Sequence, residues 1–373
     1  MKTLRIKDIC DKGSSSLKQK DVENQNGVYP VFGASGLIGK IDTYHQNKDY
    51  IAIVKDGSGI GRVTFMPAFS SVIGTLQYIL PKEGFNIKYI SYCLQSLDLA
   101  HYKQGAAIPH IYFRDYGEYE VNVEENPDDQ QRIVTYLDAE FAKIEALKAN
   151  AEKQLQAAKD LFQSALKELL TPKEGWVEKK LGEVCNKITD GTHNSPINTE
   201  TGDFMYVTAK NIKPTGIDLS NITYVTKEIH KEIYERCNPE FGDVLYIKDG
   251  ATTGIAVINT IKEKFSLLSS VALLKSKEQI LLPIFLCYVM NSPMMYNYVR
   301  SKMEGAAITR VTLTKIKNFP ITLPPLSEQQ RIADRLDALS ANVKALQTNY
   351  TETITLCNDL KQALLKKVFE EDG

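Results

Sequence analysis

The sequence predicts an α+β fold in which two mixed α/β domains are separated by two long helices pairing antiparallel as a coiled coil, the whole an internal repeat with pseudo-two-fold character. Three observations predict it. Short signatures recur in the same order in both halves of the 373-residue chain. Each half ends in a long run of apolar positions spaced four and three apart, the mark of a helical seam. The segments before those runs alternate short β-like stretches with Gly, Asn and Asp turns.

The repeat is the strongest of the three. Lys55-Asp-Gly57, with Gly59 and Gly61 behind it, has a partner in Lys248-Asp-Gly250 with Gly254, and each follows an apolar run, Ile51 to Val54 or Val244 to Ile247. Gly105-Ala-Ala-Ile108 returns as Gly305-Ala-Ala-Ile308, and Gln130-Gln-Arg-Ile133 as Gln329-Gln-Arg-Ile332. Leu4 to Cys10 is echoed by Lys179 to Cys185. This order divides the chain into globular segments 1–125 and 173–322 and spacer helices 126–172 and 323–373. Each globular segment has a helical stretch near its end, Ile87 to Lys103 and Ile284 to Met303.

The glycines at 57, 59 and 61 invite a phosphate-loop reading. Such loops need a helix next, whose N-terminal dipole completes the anion site. Here Arg62-Val-Thr-Phe65 follows, alternating like a strand, and the second copy has Thr252 in place of the middle glycine. A tight turn with positive-φ glycines explains both copies without a ligand.

The helical seams are explicit. In the first half they fall at 137, 141, 144, 148, 151, 155, 158, 162, 165 and 169, apolar or small except for Lys148; in the second at 332, 336, 339, 343, 346, 350, 354, 357, 360 and 364. The second contains two successive steps of four, a local disturbance of the supercoil. Asp128 and Ser327 are placed to cap the two helices. Helices of about 40 residues reach roughly 60 Å and do not bury a seam alone, so they are expected to pack on each other.

Bulk composition narrows the function classes. Hydrophobic content of 43%, 24% charged residues, net charge −1 and a pI near 6.6 describe an ordinary globular protein, with no basic excess announcing nucleic acid. Six cysteines form no C-x-x-C pair, and five histidines fall in no metal-ligand spacing. The longest apolar run, 280–290, contains Pro283 and reads as core; no membrane span or signal segment is expected, which places the chain in the cytoplasm. Neither a G-x-x-x-x-G-K-[ST] loop nor an Asn-Pro-Pro-aromatic motif is spelled out, so binding without catalysis is expected.

Taken together, these marks resemble the specificity subunit of a Type I DNA restriction-modification system. The residues that carry the resemblance are Tyr29-Pro-Val-Phe-Gly-Ala-Ser-Gly-Leu-Ile-Gly39, the two Lys-Asp-Gly turns, Ile188-Thr-Asp-Gly-Thr-His193, the Gly-Ala-Ala-Ile segments, and Pro324-Pro-Leu-Ser-Glu-Gln-Gln-Arg-Ile332. They span nearly the whole chain. The first copy departs from the pattern, with Asn126-Pro-Asp-Asp where the family has Pro-Leu-x-Glu. The resemblance implies that each globular segment reads one half of a bipartite, asymmetric target in double-stranded DNA while the helices set the gap. It implies two modification (methyltransferase) subunits and restriction/translocase subunits as partners, which would carry S-adenosylmethionine, ATP and Mg2+; no cofactor is expected on this chain.

Candidate DNA contacts are the basic and polar groups at turns: Lys55, Arg62 and His110 in the first segment, and Thr192, His193, Asn194, Lys248, Thr252, Thr253 and Arg310 in the second. The ordinary alternative is a solvated turn, with side chains bonding their own backbone. Gln130, Arg132, Gln329 and Arg331 are candidates for docking the partner subunits. The rival function is a non-catalytic protein adaptor carrying two modules on a coiled coil. Steep salt dependence of duplex binding separates the two.

Overall fold

The computed structural model describes every residue except 24, 106–108, 304–309 and 372–373. The Gly-Ala-Ala-Ile marks therefore lie largely outside the described residues. Two compact units organise the chain: Met1–Lys153 together with Tyr350–Gly373, and Gln154–Asn349.

In the first unit, an antiparallel sheet orders Cys10–Ser14, Leu76–Pro81, Tyr50–Val54 and Val63–Met66. The second unit repeats it with Cys185–Asp190, Val271–Ser276, Val244–Ile247 and Ala256–Ile258. A three-stranded sheet accompanies each, and each pairs its first strand with its last, Lys2–Arg5 with Glu120–Val123 and Val177–Lys180 with Pro320–Leu323. The central strands read as unbroken apolar runs because both of their faces are covered. Ile51 and Ile53 face the core shared with the helices, whereas Tyr50, Ala52 and Val54 face a second core. Val244 and Tyr246 divide from Leu245 and Ile247 in the same way.

The long helices run Pro127–Leu170 and Leu326–Lys366. All ten seam positions expected in the first helix are buried or half-buried. In the second, Leu346 and Leu360 are 39% and 54% exposed, against expectation. Two consecutive steps of four, from 346 to 354, carry the pattern about 80° past two full turns, and the two steps of three that follow, to 360, carry it about 120° back, so no single stripe holds every position. Cys357, an expected position, is buried, as is Leu365, which lies off the expected seam. Within the first unit the helices are antiparallel: Lys148 Nζ donates to Asn358 Oδ1 at 3.0 Å, while Glu145, one turn back, pairs with Lys361, one turn on, at 3.1 Å. Within the second, Leu166, Leu169 and Leu170 share a core with Ile332 and Leu336.

Helix ends differ from expectation in informative ways. The first long helix is capped by Asn126, whose Oδ1 accepts from Asp128 N at 2.9 Å, so Asp128 is a first-turn acid and not the cap. Ser327 likewise lies inside its helix, which begins at Leu326. The stretch after Ile87 is a helix only to Ser96, followed by a 3₁₀ turn at Leu99–Tyr102. The stretch after Pro283 breaks at Met290; Pro293 then opens a new helix, with Ser292 Oγ accepting from Met295 N at 3.2 Å. At the far end of the chain, Leu365 and Phe369 are buried in the core of the first unit, Phe369 with its ring 5.3 Å from that of Tyr89.

Candidate nucleic-acid interface

The two Lys-Asp-Gly turns have the same backbone wiring. Gly61 N donates to Val54 O at 2.8 Å, and Gly254 N to Ile247 O at 3.0 Å. Lys55 N reaches Thr75 O and Lys248 N reaches Ser270 O, both at 3.0 Å. Ile111 N donates to Lys55 O and Val311 N to Lys248 O, both at 2.9 Å. Backbone bridges then join Asp56 to His110 and Asp249 to Arg310. Gly57, Gly59, Gly61, Gly250 and Gly254 all have positive φ. At Gly61 a side chain has no room, because a Cβ would stand 2.6 Å from Ala100 N. With the Gly57 and Gly61 amides occupied by carbonyls, the loop is a turn and not an anion cradle.

Onto this common frame the first unit places Lys55, Arg62 and His110. Lys55 is half-buried, and among the described residues its ammonium has no ion pair or hydrogen bond. Arg62 is exposed and donates to Ala34 O at 2.9 Å. His110 Nδ1 bonds the Asp56 carboxylate, and its ring lies 4.1 Å from that of Tyr112. The Arg114 guanidinium covers the Tyr112 ring at 4.5 Å. Tyr112 and Arg114 were not singled out by sequence; their place at every second residue after His110 was the available signal.

The second unit builds something different on the same frame. Asp190 is buried, and Arg236, His193 and Lys248 converge on its carboxylate, His193 at 3.3 Å and Lys248 at 3.4 Å. Lys248 also pairs with Asp249 at 2.9 Å. Lys248 is only 6% exposed, and two carboxylates already balance its charge, so it does not offer itself to a phosphate as the sequence suggested. Thr253 is likewise buried, its hydroxyl donating to Gly250 O at 2.7 Å, which makes it part of the turn. Thr192 closes a local turn on Asn194, donating to its carbonyl at 3.0 Å and accepting from its amide at 3.3 Å.

His193, Asn194, Thr252 and Arg310 are exposed. Gly191 permits this packing, since a Cβ there would stand 1.8 Å from Leu267 O. Asp190 and Arg236 form the centre of the cluster and were missed as site residues, because a separation of 46 residues along the chain gives no local cue. Beside the turn, Arg300 lies over the Tyr296 ring at 5.1 Å and donates to Ala251 O at 3.4 Å.

The docking candidates separate by helix face. Gln130 and Gln329 are fully buried, each holding three backbone groups, so they anchor a domain to its helix and present nothing to a partner. Gln130 Oε1 accepts from Asn86 N at 2.6 Å, and its amide donates to Gly84 O and Glu124 O. Gln329 Oε1 accepts from Leu282 N at 2.9 Å, and its amide donates to Ile280 O and Pro324 O. Arg132 and Arg331, two residues on and so on the opposite face, are exposed. A second pair of anchors sits two turns further along. Tyr92 donates to Asp138, which also pairs with Lys88 at 2.6 Å, and Tyr288 donates to Asp337. Burial opposes ionisation of Asp138, but Lys88 and Tyr92 outweigh it and hold the carboxyl below its usual range.

Among the described residues, no group of His, Cys, Asp and Glu side chains gathers as a metal site, and no helix is long and apolar enough to cross a membrane. The sequence pattern of the Type I restriction modification DNA specificity domain matches residues 1–157 and 173–356. The specificity subunit of the EcoBI Type I restriction enzyme of Escherichia coli is 23% identical over 266 residues, covering 65% of this chain and 56% of that protein. The EcoKI counterpart from Escherichia coli strain K12 is 25% identical over 197 residues, covering 52% and 42%. The chain thus spans about half the length of these curated relatives. A solved chain from a type I R-M system, studied for complex assembly and conformational transition, matches with a TM-score of 0.73 over 98% of this chain and 96% of its own, at 19% identity, a likeness of fold. With both halves matched, each together with most of its long helix, the chain belongs to the Type I restriction-modification DNA specificity family.

Proposed function

We propose that this chain is the DNA-reading subunit of a Type I restriction-modification complex. Each globular domain reads one half of a bipartite, asymmetric duplex target, and the paired helices fix the gap between the halves. Two modification subunits and the restriction subunits dock along the helices, with exposed Arg132 and Arg331 among the contacts. Those partners supply S-adenosylmethionine, ATP and Mg2+, and the chain itself makes and breaks no bonds.

One observation carries this reading: two turns with the same hydrogen-bond wiring present different side chains, half-buried His110 with exposed Tyr112 and Arg114 in one, and exposed His193, Thr252 and Arg310 in the other. A shared frame with divergent tips suits one task performed on two unlike half-sites, since phosphate contacts position a protein and base-edge contacts specify sequence. The test lengthens the rod. One heptad inserted into each long helix adds about 10 Å, which is roughly three base pairs at about 3.4 Å each. In cells supplying the modification subunits, sequencing that detects methylated bases should show both half-sites kept and the gap lengthened by about three. An unchanged gap removes the spacer role, and methylation without sequence preference removes the reading as a whole.

A further inference from the structure

We propose that Arg114, held over the Tyr112 ring, reads a base edge of duplex DNA for the first domain, with guanine as the base its geometry favours. This inference rests on the DNA-reading role proposed above.

Residues 110–114 and 310–314 follow the same backbone bridges to their turns, and each leads into a short helix, Phe113–Tyr116 or Leu313–Lys317. In the second copy the middle residue is used locally, Thr312 Oγ1 accepting from Lys315 N at 3.3 Å. In the first copy Tyr112 makes no such cap. Its ring is flanked instead by the His110 ring at 4.1 Å and the Arg114 guanidinium at 4.5 Å.

A stacked guanidinium has lost much of its rotational freedom while keeping its donors in one plane, the arrangement that meets O6 and N7 of guanine with two parallel hydrogen bonds. The Arg114 side chain is 71% exposed; its only ion pair among the described residues is a 3.6 Å approach of Nε to Asp115, which leaves the terminal nitrogens available. Asp115 is itself held by Gln104, whose Nε2 donates to Oδ2 at 2.9 Å, so both supports of the guanidinium, ring and carboxylate, are fixed. Arg300, which lies over Tyr296 in the second unit at a position the repeat does not match to Arg114, differs in that its nitrogens bond Tyr296 Oη at 3.1 Å and Ala251 O at 3.4 Å. Of the two stacks, the one over Tyr112 is the one with donors to spare.

The test uses the chain assembled with its modification subunits. Binding is measured on duplexes carrying the methylated motif, on a set with each half-site base pair replaced in turn, and on an unrelated duplex. For Arg114→Lys, which keeps the charge but loses the planar fork, affinity for the motif should fall roughly tenfold or more. Affinity for the duplex already altered at one G·C position of a single half-site should stay unchanged, so discrimination at that position disappears. Tyr112→Ala should weaken discrimination at the same position, whereas Tyr112→Phe should not. An equal loss on every duplex, the unrelated one included, would mark Arg114 as a phosphate contact and overturn the inference, as would no loss at all. A wild-type complex that fails to distinguish its motif from the unrelated duplex would remove the DNA-reading role itself, and this inference with it.

Discussion

Replacing Gln329 by leucine tests the anchoring of the second domain directly. The substitution puts an apolar side chain of similar size in a fully buried position and removes three hydrogen bonds, from Leu282 N at 2.9 Å and to Ile280 O and Pro324 O at 2.8 and 2.9 Å. At about 1 kcal/mol net apiece the loss is about 3 kcal/mol, and backbone groups left without partners push it upward. With a urea dependence of about 3 kcal/mol per molar, the unfolding midpoint should fall by about 1 M. Trp176, the one tryptophan of the chain, lies in this unit with its ring 6.5 Å from that of Phe285, so its fluorescence reports the transition. Arg331→Leu is the control. It alters the exposed face two residues away and breaks only a surface pair with Glu328, worth about 1 kcal/mol at most. A Gln329→Leu midpoint within roughly 0.2 M of wild type would refute the anchoring argument, and a larger effect from Arg331→Leu would reverse the assignment of faces.

Two further outcomes are expected. Lys55→Ala should lower the slope of log affinity against log salt by about one, because its ammonium is free to meet a phosphate, while Lys248→Met should leave the slope unchanged and lower the thermal midpoint by leaving Asp190 and Asp249 short of a cation; equal slope changes in the two variants would contradict this contrast. His230 is buried flat against Phe204 with rings 3.8 Å apart, and burial, with Lys264 adding, pushes its pKa down. The unfolded chain therefore takes up the proton first, so this contribution to stability is present above about pH 6.5 and declines as pH falls through the folded value. Melting followed by Trp176 fluorescence should drop more steeply below that pH in wild type than in His230→Gln, and parallel curves would remove His230 as the cause.

Much of the architecture was legible because it is written in periodicities. The first seam needed only steps of four and three, and all ten positions are buried or half-buried. The second seam failed at Leu346 and Leu360, where accumulated rotation about the helix carried the pattern off the covered stripe. The turns were legible because positive-φ glycines and a strand-like continuation exclude a phosphate loop on local grounds. Side-chain roles were less so. Lys248 looked like a surface cation until Asp190, 58 residues earlier, was brought beside it by strand pairing. Gln130 and Arg132 were grouped because they are neighbours in sequence, yet two residues along a helix is more than half a turn, which sends one inward and the other outward. Tyr112 and Arg114 become neighbours in function only once an extended backbone and the turn after it aim them to the same side.

The burial of Leu365 and Phe369 in the first unit has a consequence for biosynthesis. That core cannot close when its own strands leave the ribosome; it waits, partly open to water, until the whole second globular segment has been translated and the final helical turns arrive. Assembly order therefore runs against the usual expectation that the leading domain finishes first. A message cut short just before those turns would yield a protein whose second segment is intact and whose first exposes a greasy cleft, a natural cue for chaperones and proteases to remove incomplete chains.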